Sequence, residues 1–386
     1  MAEHEERGRS GNGGSSDLVL ITGGAGFVGS HLADALLADG YRVRVLDNLC
    51  EQVHGTGISR PEYLHDDVEL QRGDVRDPAA VQRALQGVDA VYHFAAAVGV
   101  GQSMYEIERY TDVNNRGTAV LLEALAASPV SRLVVASSMS VYGEGLCEDA
   151  DGRIVSPPER CLDQLLRGEW ELRGRDGRPL EPLPTPESKP VSPSSIYALS
   201  KLDQERMCLM IGQAYGIPTV ALRFFNIYGT RQALSNPYTG VLAIFAARYL
   251  NRRVPLVFED GMQRRDFVNV QDVARACLLA LKTPEAAGHV LNIGSGQSIS
   301  IVEVAEQMSR ALGVDDLPPQ ITGKYRTGDI RHCFADISLA TQVLGYRPQV
   351  ALADGLETLV DWMLGQRAFD RVDAARAELE QRGLQR

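Results

Sequence analysis

Tyr197 and Lys201 stand four residues apart, with the helix-start residues Pro193, Ser194 and Ser195 just before them. That spacing on a helix puts both side chains on one face. A phenol titrates near pH ~10 in water, too high for a base at neutral pH, but a neighbouring ammonium favours its ionised form. The pair therefore predicts a phenol acting as a proton carrier. Ser137 and Ser138 add hydroxyls at the end of an apolar run, Leu133-Val134-Val135-Ala136. Such a run reads as a buried strand that delivers them to the carboxyl end of a sheet, where open α/β folds bind ligands. Either serine can donate to a substrate oxygen and accept from a Tyr. The plainer alternatives are a surface Tyr–Lys pair and serines that satisfy loop backbone.

A second constellation lies near the N-terminus, in Thr22-Gly23-Gly24-Ala25-Gly26-Phe27-Val28-Gly29. It follows the apolar run Leu18-Val19-Leu20-Ile21 and opens a helical stretch over residues 27–38. In that context Gly23 makes the tight turn, Gly26 lets the backbone approach a pyrophosphate, and Gly29 allows close helix–strand packing. The helix N-terminus faces the anion. Asp47 ends the next strand, eighteen positions past Gly29, where a carboxylate accepts from ribose hydroxyls and repels a 2′-phosphate. NAD is favoured over NADP, and a cationic nicotinamide ring would further favour a phenolate at Tyr197.

These residues need a frame. Strand-like runs recur at residues 42–47, 68–72, 90–94, 133–137, 219–223 and 289–293, with helical stretches at 78–86, 115–127 and 195–215. The alternation predicts an α/β fold: a Rossmann, doubly wound parallel sheet with a smaller C-terminal α/β substrate-binding region. Met207, Met210, Ile211 and Ala214 read as an apolar core stripe on the Tyr197 helix. Residues 146–190, rich in Pro, Gly and charge, read as an inserted loop with at most a short helix over 159–170. Residues 1–16 read as a mobile polar tail and 369–386 as a solvated helix.

Composition narrows the function classes. The 386 residues carry 39 basic and 50 acidic side chains, a net charge of −11, which favours neither nucleic acid nor an anionic membrane as partner. The chain has no apolar run of membrane-spanning length and no apolar signal core at its start, so a cytoplasmic protein is expected. Six scattered Cys in a chain this long do not form a disulfide framework.

Taken together the motifs resemble the extended short-chain dehydrogenase/reductase family, specifically its NAD-dependent nucleotide-sugar epimerases and dehydratases, from about residue 17 to about 364. The resemblance implies Ser138, Tyr197 and Lys201 as the catalytic set, choosing Ser138 over Ser137. Further cofactor contacts are implied at Gly23, Gly26, Phe27, Val28, Gly29, Asp47 and Asn48, and at Asp74 and Val75 near the adenine. Phe94, Ala95, Ala96 and Asn114 are implied along the dinucleotide, which Tyr197 and Lys201 also touch. For the substrate it implies Ser138, Met139, Ser140, Asn226 and Arg231, with Arg265, Arg326 and Asp329 at the diphosphate and ribose. The dehydratases of the family place Asp-Glu where this chain has Met139 and Ser140, neither a proton carrier, so inversion at C4 of a dTDP- or UDP-linked hexose is the expected reaction. A dehydrogenase, reductase, dehydratase or decarboxylase on the same scaffold is the alternative, and a non-catalytic NAD-binding regulator is the alternative of another class. The family habit is a homodimer. The implied division is 17–230 with 266–295 for the dinucleotide, 231–265 with 296–365 for the sugar nucleotide, and 366–386 as a helical tail. The insert is similar to that of a dTDP-L-rhamnose 4-epimerase-like branch, some of whose members carry paired Cys clusters; with only Cys147 and Cys161 there, no metal is expected.

Overall fold

The computed structural model describes residues 17–234, 236, 238, 240–326, 328–366 and 372–385; the expected tail over 1–16 lies outside them. Seven strands form one sheet: β1 (Leu18–Thr22), β2 (Arg42–Asp47), β3 (Glu69–Arg72), β4 (Ala90–His93), β5 (Arg132–Ser138), β6 (Thr219–Phe224) and β7 (Val290–Ile293). Their order is β7-β6-β5-β4-β1-β2-β3, with every neighbouring pair parallel. β1 and β5 are buried along their whole length, which is why they read as continuous apolar runs rather than alternating ones. Chain order reverses between β1 and β4, which opens the crevice of a doubly wound sheet at their carboxyl ends.

Helices cover both faces. One face packs α1 (Phe27–Ala38) through Leu32 and Leu36, and a helix near the C-terminal half through Val273, Ala276 and Ala280. The other packs α2 (Pro78–Ala84), α3 (Gly117–Ala127) and α4 (Ile196–Tyr215) through Val81, Leu121, Leu125 and Cys208. Residues of α5 (Val241–Leu250), α6 (Ile301–Ala311) and α7 (Leu352–Leu364) build a separate apolar core around Phe245, Val304, Leu359 and Met363. None of the described helices is long and apolar enough to cross a membrane.

Three sequence expectations need correction. Of the stripe expected on α4, Met207 and Ile211 pack against the core, but Met210 is 59 % exposed, and the fully buried positions are small or charged ones, including Ala198, Lys201, Glu205, Cys208 and Gly212. Glu205 can be buried because Arg223 meets it at 2.7 Å, so this polar face goes inward and Met210 stays out. Residues 146–190 are not a bare loop: Leu146–Glu148 pairs antiparallel with Ile154–Val155 and with Glu181–Leu183, around buried Cys147, Leu172 and Leu180. The helix within it is only Leu162–Leu166. Finally, Val372–Gln381 is helical, but Ala375 and Leu379 are buried and Asp373 pairs with Arg248 at 2.9 Å, so it docks rather than standing in solvent.

Candidate active site

The glycine-rich turn joins β1 to α1, and each glycine has a separate steric reason. Gly23 has φ +71°, and a Cβ there would lie 2.8 Å from backbone atoms of Ala95. A Cβ on Gly29 would lie 2.5 Å from Gly24 Cα, so the helix can sit on the turn only without a side chain. A Cβ on Gly26 would lie 3.3 Å from Gly23 O, a tight approach to a single backbone atom. Gly26 is the N-cap of α1 and no side chain caps it, with Phe27 and Val28 as the first helical residues. This cradle fits a dinucleotide pyrophosphate.

Asp47 stands beside the turn at the end of β2, accepting from Ala25 N (3.1 Å) and Leu49 N (2.9 Å). Tyr63, which the motifs did not single out, donates to Ala25 O at 2.9 Å, and burial pushes its phenol up to about 12. Asn48 donates to Asp74 at 3.1 Å. Arg76 grips the same carboxylate with Nε and Nη2 (2.9 and 2.8 Å) and holds it down at about 2. The adjacent Val75 packs on Gly117, where a Cβ would lie 2.7 Å from its methyl group.

β5 ends on the two serines, and the structure separates them. Ser137 donates to Glu205 Oε2 at 2.7 Å, inside the buried Glu205–Arg223 pair. Ser138 instead lies near enough to the Tyr197 phenol to favour its ionised form, and accepts from the Ser140 hydroxyl at 2.9 Å. Met139 and Ser140 begin the tight Met139–Tyr142 turn, and both are buried. Ser195 caps α4 by accepting from Ala198 N, and Ser103 accepts from Tyr197 N at 3.0 Å. The start of the helix is thus fixed from two sides. Asn114 sits in a wide π-helical turn, Thr111–Arg116, of a kind often found at functional sites. It accepts from Ala97 N (2.7 Å) and donates to Ser200 Oγ (2.8 Å), tying the segment after Phe94, Ala95 and Ala96 to the Tyr197 helix.

The electrostatics differ from expectation at Lys201. Burial pushes the Tyr197 phenol up from its ordinary value, and only the nearby Ser138 hydroxyl pulls it down. The Lys201 ammonium points along its own helix, donating to Gln204 Oε1 at 2.8 Å, and burial lowers it to about 8. Gln204 continues inward, donating to Thr118 Oγ1 at 2.8 Å and lying 3.2 Å from His93 Nε2. His93 Nδ1 meets Thr22 Oγ1 at 2.8 Å, and that hydroxyl accepts from Ala95 N at 3.3 Å. Burial holds the imidazole near 3, hence neutral. A closed polar chain therefore joins Lys201 to the first residue of the glycine-rich turn. No motif signals this chain, since each member is an ordinary residue in its own segment.

The residues expected at the sugar nucleotide lie in the C-terminal part of the chain and at its junction with the sheet. Arg265 belongs to a short strand paired with Ile299–Ser300 and His332–Cys333. Its guanidinium donates to the carbonyls of Ile330 and Arg331. Arg326 makes two bonds to Asp329 Oδ2 (3.1 and 2.9 Å) and lies over the Phe258 ring at 4.7 Å. Asn226 donates its backbone N–H to Asp266 O, while its side-chain Oδ1 is buried with no partner among the described residues. Arg231 does not join this group: it pairs with Asp34 of α1 at 2.7 Å and lies over Tyr63, on the glycine-turn side.

Comparison with known proteins agrees with the geometry. The model of the NAD dependent epimerase/dehydratase family matches residues 19–160 and 174–294. The chain is 36 % identical over 349 residues to a dTDP-L-rhamnose 4-epimerase of Burkholderia thailandensis, covering 89 % of this chain and 94 % of that protein. It is 32 % identical over 348 residues to a putative UDP-glucose 4-epimerase of Methanocaldococcus jannaschii, covering 90 % and 98 %. Among solved structures, the UDP-glucose 4-epimerase of Thermotoga maritima with UDP-glucose superposes at TM-score 0.74 with 29 % identity, covering 90 % and 98 %. The UDP-glucose 4-epimerase of Thermus thermophilus in complex with NAD gives 0.71 and 32 %, covering 91 % and 100 %. With the glycine cradle, the Asp47 carboxylate and the Ser138–Tyr197 pair all at the carboxyl edge of the sheet, this chain belongs to the NAD-dependent epimerase/dehydratase family.

Proposed function

We propose that this protein inverts C4 of the hexose in a dTDP- or UDP-linked sugar, using NAD that is regenerated in each cycle. The observation that carries the reading is the Tyr197 phenol, whose ionised form the nearby Ser138 hydroxyl favours and which stands one helical turn from Lys201. Gly23, Gly26, Gly29 and the first residues of α1, Phe27 and Val28, hold the pyrophosphate. Asp47 takes the ribose hydroxyls, Asn48, Asp74 and Val75 the adenine side, and Phe94, Ala95, Ala96 and Asn114 line the dinucleotide. When bound, NAD supplies a reversible two-electron oxidation at the sugar carbon.

Tyr197 takes the proton of the C4 hydroxyl as phenolate and later returns it. Burial alone raises this phenol, so its ionised form depends on charge brought close by the bound ligand, with the Ser138 hydroxyl helping. Ser138 donates to the sugar oxygen as charge develops there, and Ser140 orients the Ser138 hydroxyl. Lys201 holds the nicotinamide ribose. Arg265 and Arg326 take the diphosphate with planar, permanently charged donors, while Asp329 and Asn226 complete the nucleotide side. Arg231, tied to Asp34 beside the turn, serves the sugar nucleotide only if it leaves that pair. Met139 and Ser140 offer no group to protonate a leaving hydroxyl or to remove a C5 proton, so elimination of water is not supported.

The reading divides the chain into residues 17–230 with 266–295 for the dinucleotide, and 231–265 with 296–365 for the sugar nucleotide. It extends to a homodimer in the cytoplasm, which sedimentation of the purified protein and fractionation of the source cells test. The direct experiment is incubation with UDP-, dTDP- and GDP-hexoses followed by proton NMR of the sugar ring. A C4 epimer formed without accumulating NADH supports the proposal. Growth of NADH absorbance with substrate marks a net oxidation instead.

A further inference from the structure

One side chain of the insert reaches the nucleotide side of the crevice. The Arg160 guanidinium, with its side chain 4 % exposed, donates through Nη1 to Glu259 Oε1 (2.8 Å) and Trp170 O (3.3 Å). Its Nη2 donates to Asp329 O at 3.0 Å, and its Nε lies 3.5 Å from Glu144 Oε1. Four stretches distant in sequence meet there: the turn after Ser138, the insert, the approach to Arg265, and the loop bearing Arg326 and Asp329. The carbonyl that Arg160 fixes belongs to a residue on which both arginines of the nucleotide side lean. Asp329 accepts twice from Arg326 and lies 4.0 Å from Arg265. Arg265 in turn donates to the next two carbonyls of that loop.

Two enclosed carboxylates anchor the junction. Glu259 has φ +52°, in the left-handed region that disfavours any residue with a side chain. It is nonetheless 2 % exposed, its carboxylate shared between Arg160 and Arg331 Nη1 (2.9 Å). Glu144, 8 % exposed, accepts from the backbone N–H groups of Arg331 (2.8 Å) and His332 (3.2 Å), at the end of the same loop. Only a planar fork can serve acceptors lying in these different directions, and a lysine ammonium cannot.

We infer that Arg160 is a positioning residue for sugar-nucleotide binding. From the insert it holds the 326–331 loop, and with it Arg326 and Arg265, at the spacing a nucleoside diphosphate requires. It touches neither the reacting carbon nor Tyr197. The inference rests on the proposed role of Arg265 and Arg326, so its test carries a control for that role.

The test compares Arg160→Lys, Arg160→Met and Arg326→Ala with the unaltered NAD-loaded protein, measuring UDP and dTDP affinity by calorimetry, NAD content, and kcat and KM on the nucleotide sugar that is turned over. Both Arg160 variants should weaken nucleotide binding and raise KM roughly tenfold to thirtyfold, the equivalent of one charge-assisted hydrogen bond. NAD content should not change, and kcat should stay within about twofold. Arg160→Lys keeps a cation beside Glu144 and Glu259, so it reports positioning even if the Met variant fails to fold. Unchanged nucleotide affinity in Arg160→Lys, with weakened binding in Arg326→Ala, overturns the inference and leaves the insert a purely structural anchor. A fall in kcat at unchanged affinity overturns it as well. Wild-type affinity in Arg326→Ala, or no UDP or dTDP binding by the unaltered protein, refutes the reading of the nucleotide side and the inference with it.

Discussion

Replacing Gln204 by Leu removes the acceptor that holds the Lys201 ammonium in its buried place. Burial has already brought this amine from 10.5 to about 8. A hydrogen bond to a charged group contributes about 1.5–3 kcal/mol, and at ~1.36 kcal/mol per tenfold change in proton affinity its loss lowers the pKa by roughly a further 1–2. Desolvation and loss of the acceptor both disfavour the charged form, so the two effects add and the amine should titrate at roughly 6–7. At pH ~7.5 the protonated fraction drops from about three-quarters to about a tenth. Stability shifts with the same sign. A base that binds its proton more weakly when folded gains stability as pH rises between its folded and unfolded values, here from about 8 to 10.5. In the variant that rise should begin at lower pH. The assay is NAD affinity of NAD-stripped protein by calorimetry across the titration range. The pH dependence should break near 8 in the unaltered protein, at roughly 6–7 in Gln204→Leu, and higher in Gln204→Glu, whose carboxylate favours the ammonium. A break at one pH in all three proteins refutes the reasoning.

Other perturbations follow from the same contacts. Gly29→Ala places a Cβ 2.5 Å from Gly24 Cα, a backbone atom that cannot swing away, so bound NAD should be lost and thermal unfolding should show roughly 1–3 kcal/mol of destabilisation. Asp47→Asn removes the carboxylate proposed to face the cofactor ribose, and competition binding should show the preference for NAD over NADP narrowing by roughly tenfold or more. Arg223→Met strands the buried Glu205 carboxylate, at a cost of about 3–5 kcal/mol in denaturant unfolding, much of which Glu205→Gln should restore in the double variant.

What the sequence disclosed and what it hid have physical reasons. β1, β5 and the glycine-rich turn were legible because a strand buried on both faces is a continuous apolar run and a cradle against Ala95 admits only glycine. Tyr197 and Lys201 were legible from their spacing, but the charge relation between them was not. The direction of an ammonium depends on Gln204, whose partners Thr118 and His93 come from α3 and β4. Helical periodicity misled at Met210, because apolarity marks a core face only when no buried ion pair competes for it. The sheet of the insert escaped notice because its strands are two or three residues long, too short to show alternation. The junction formed by Glu259 and Arg160 was hidden for another reason. Nothing local marks a glutamate that takes a left-handed backbone, or an arginine whose acceptors lie 99 and 169 positions away.

Turnover in deuterium oxide tests the phenol-centred inversion most directly. With the nucleotide sugar that the protein converts, NMR should show the C4 configuration inverted while C4 keeps its original protium and C3 and C5 take up no deuterium. Tyr197→Phe should retain NAD and convert nothing. Solvent deuterium at C4, C3 or C5 of the product, or sustained turnover by Tyr197→Phe, would contradict it.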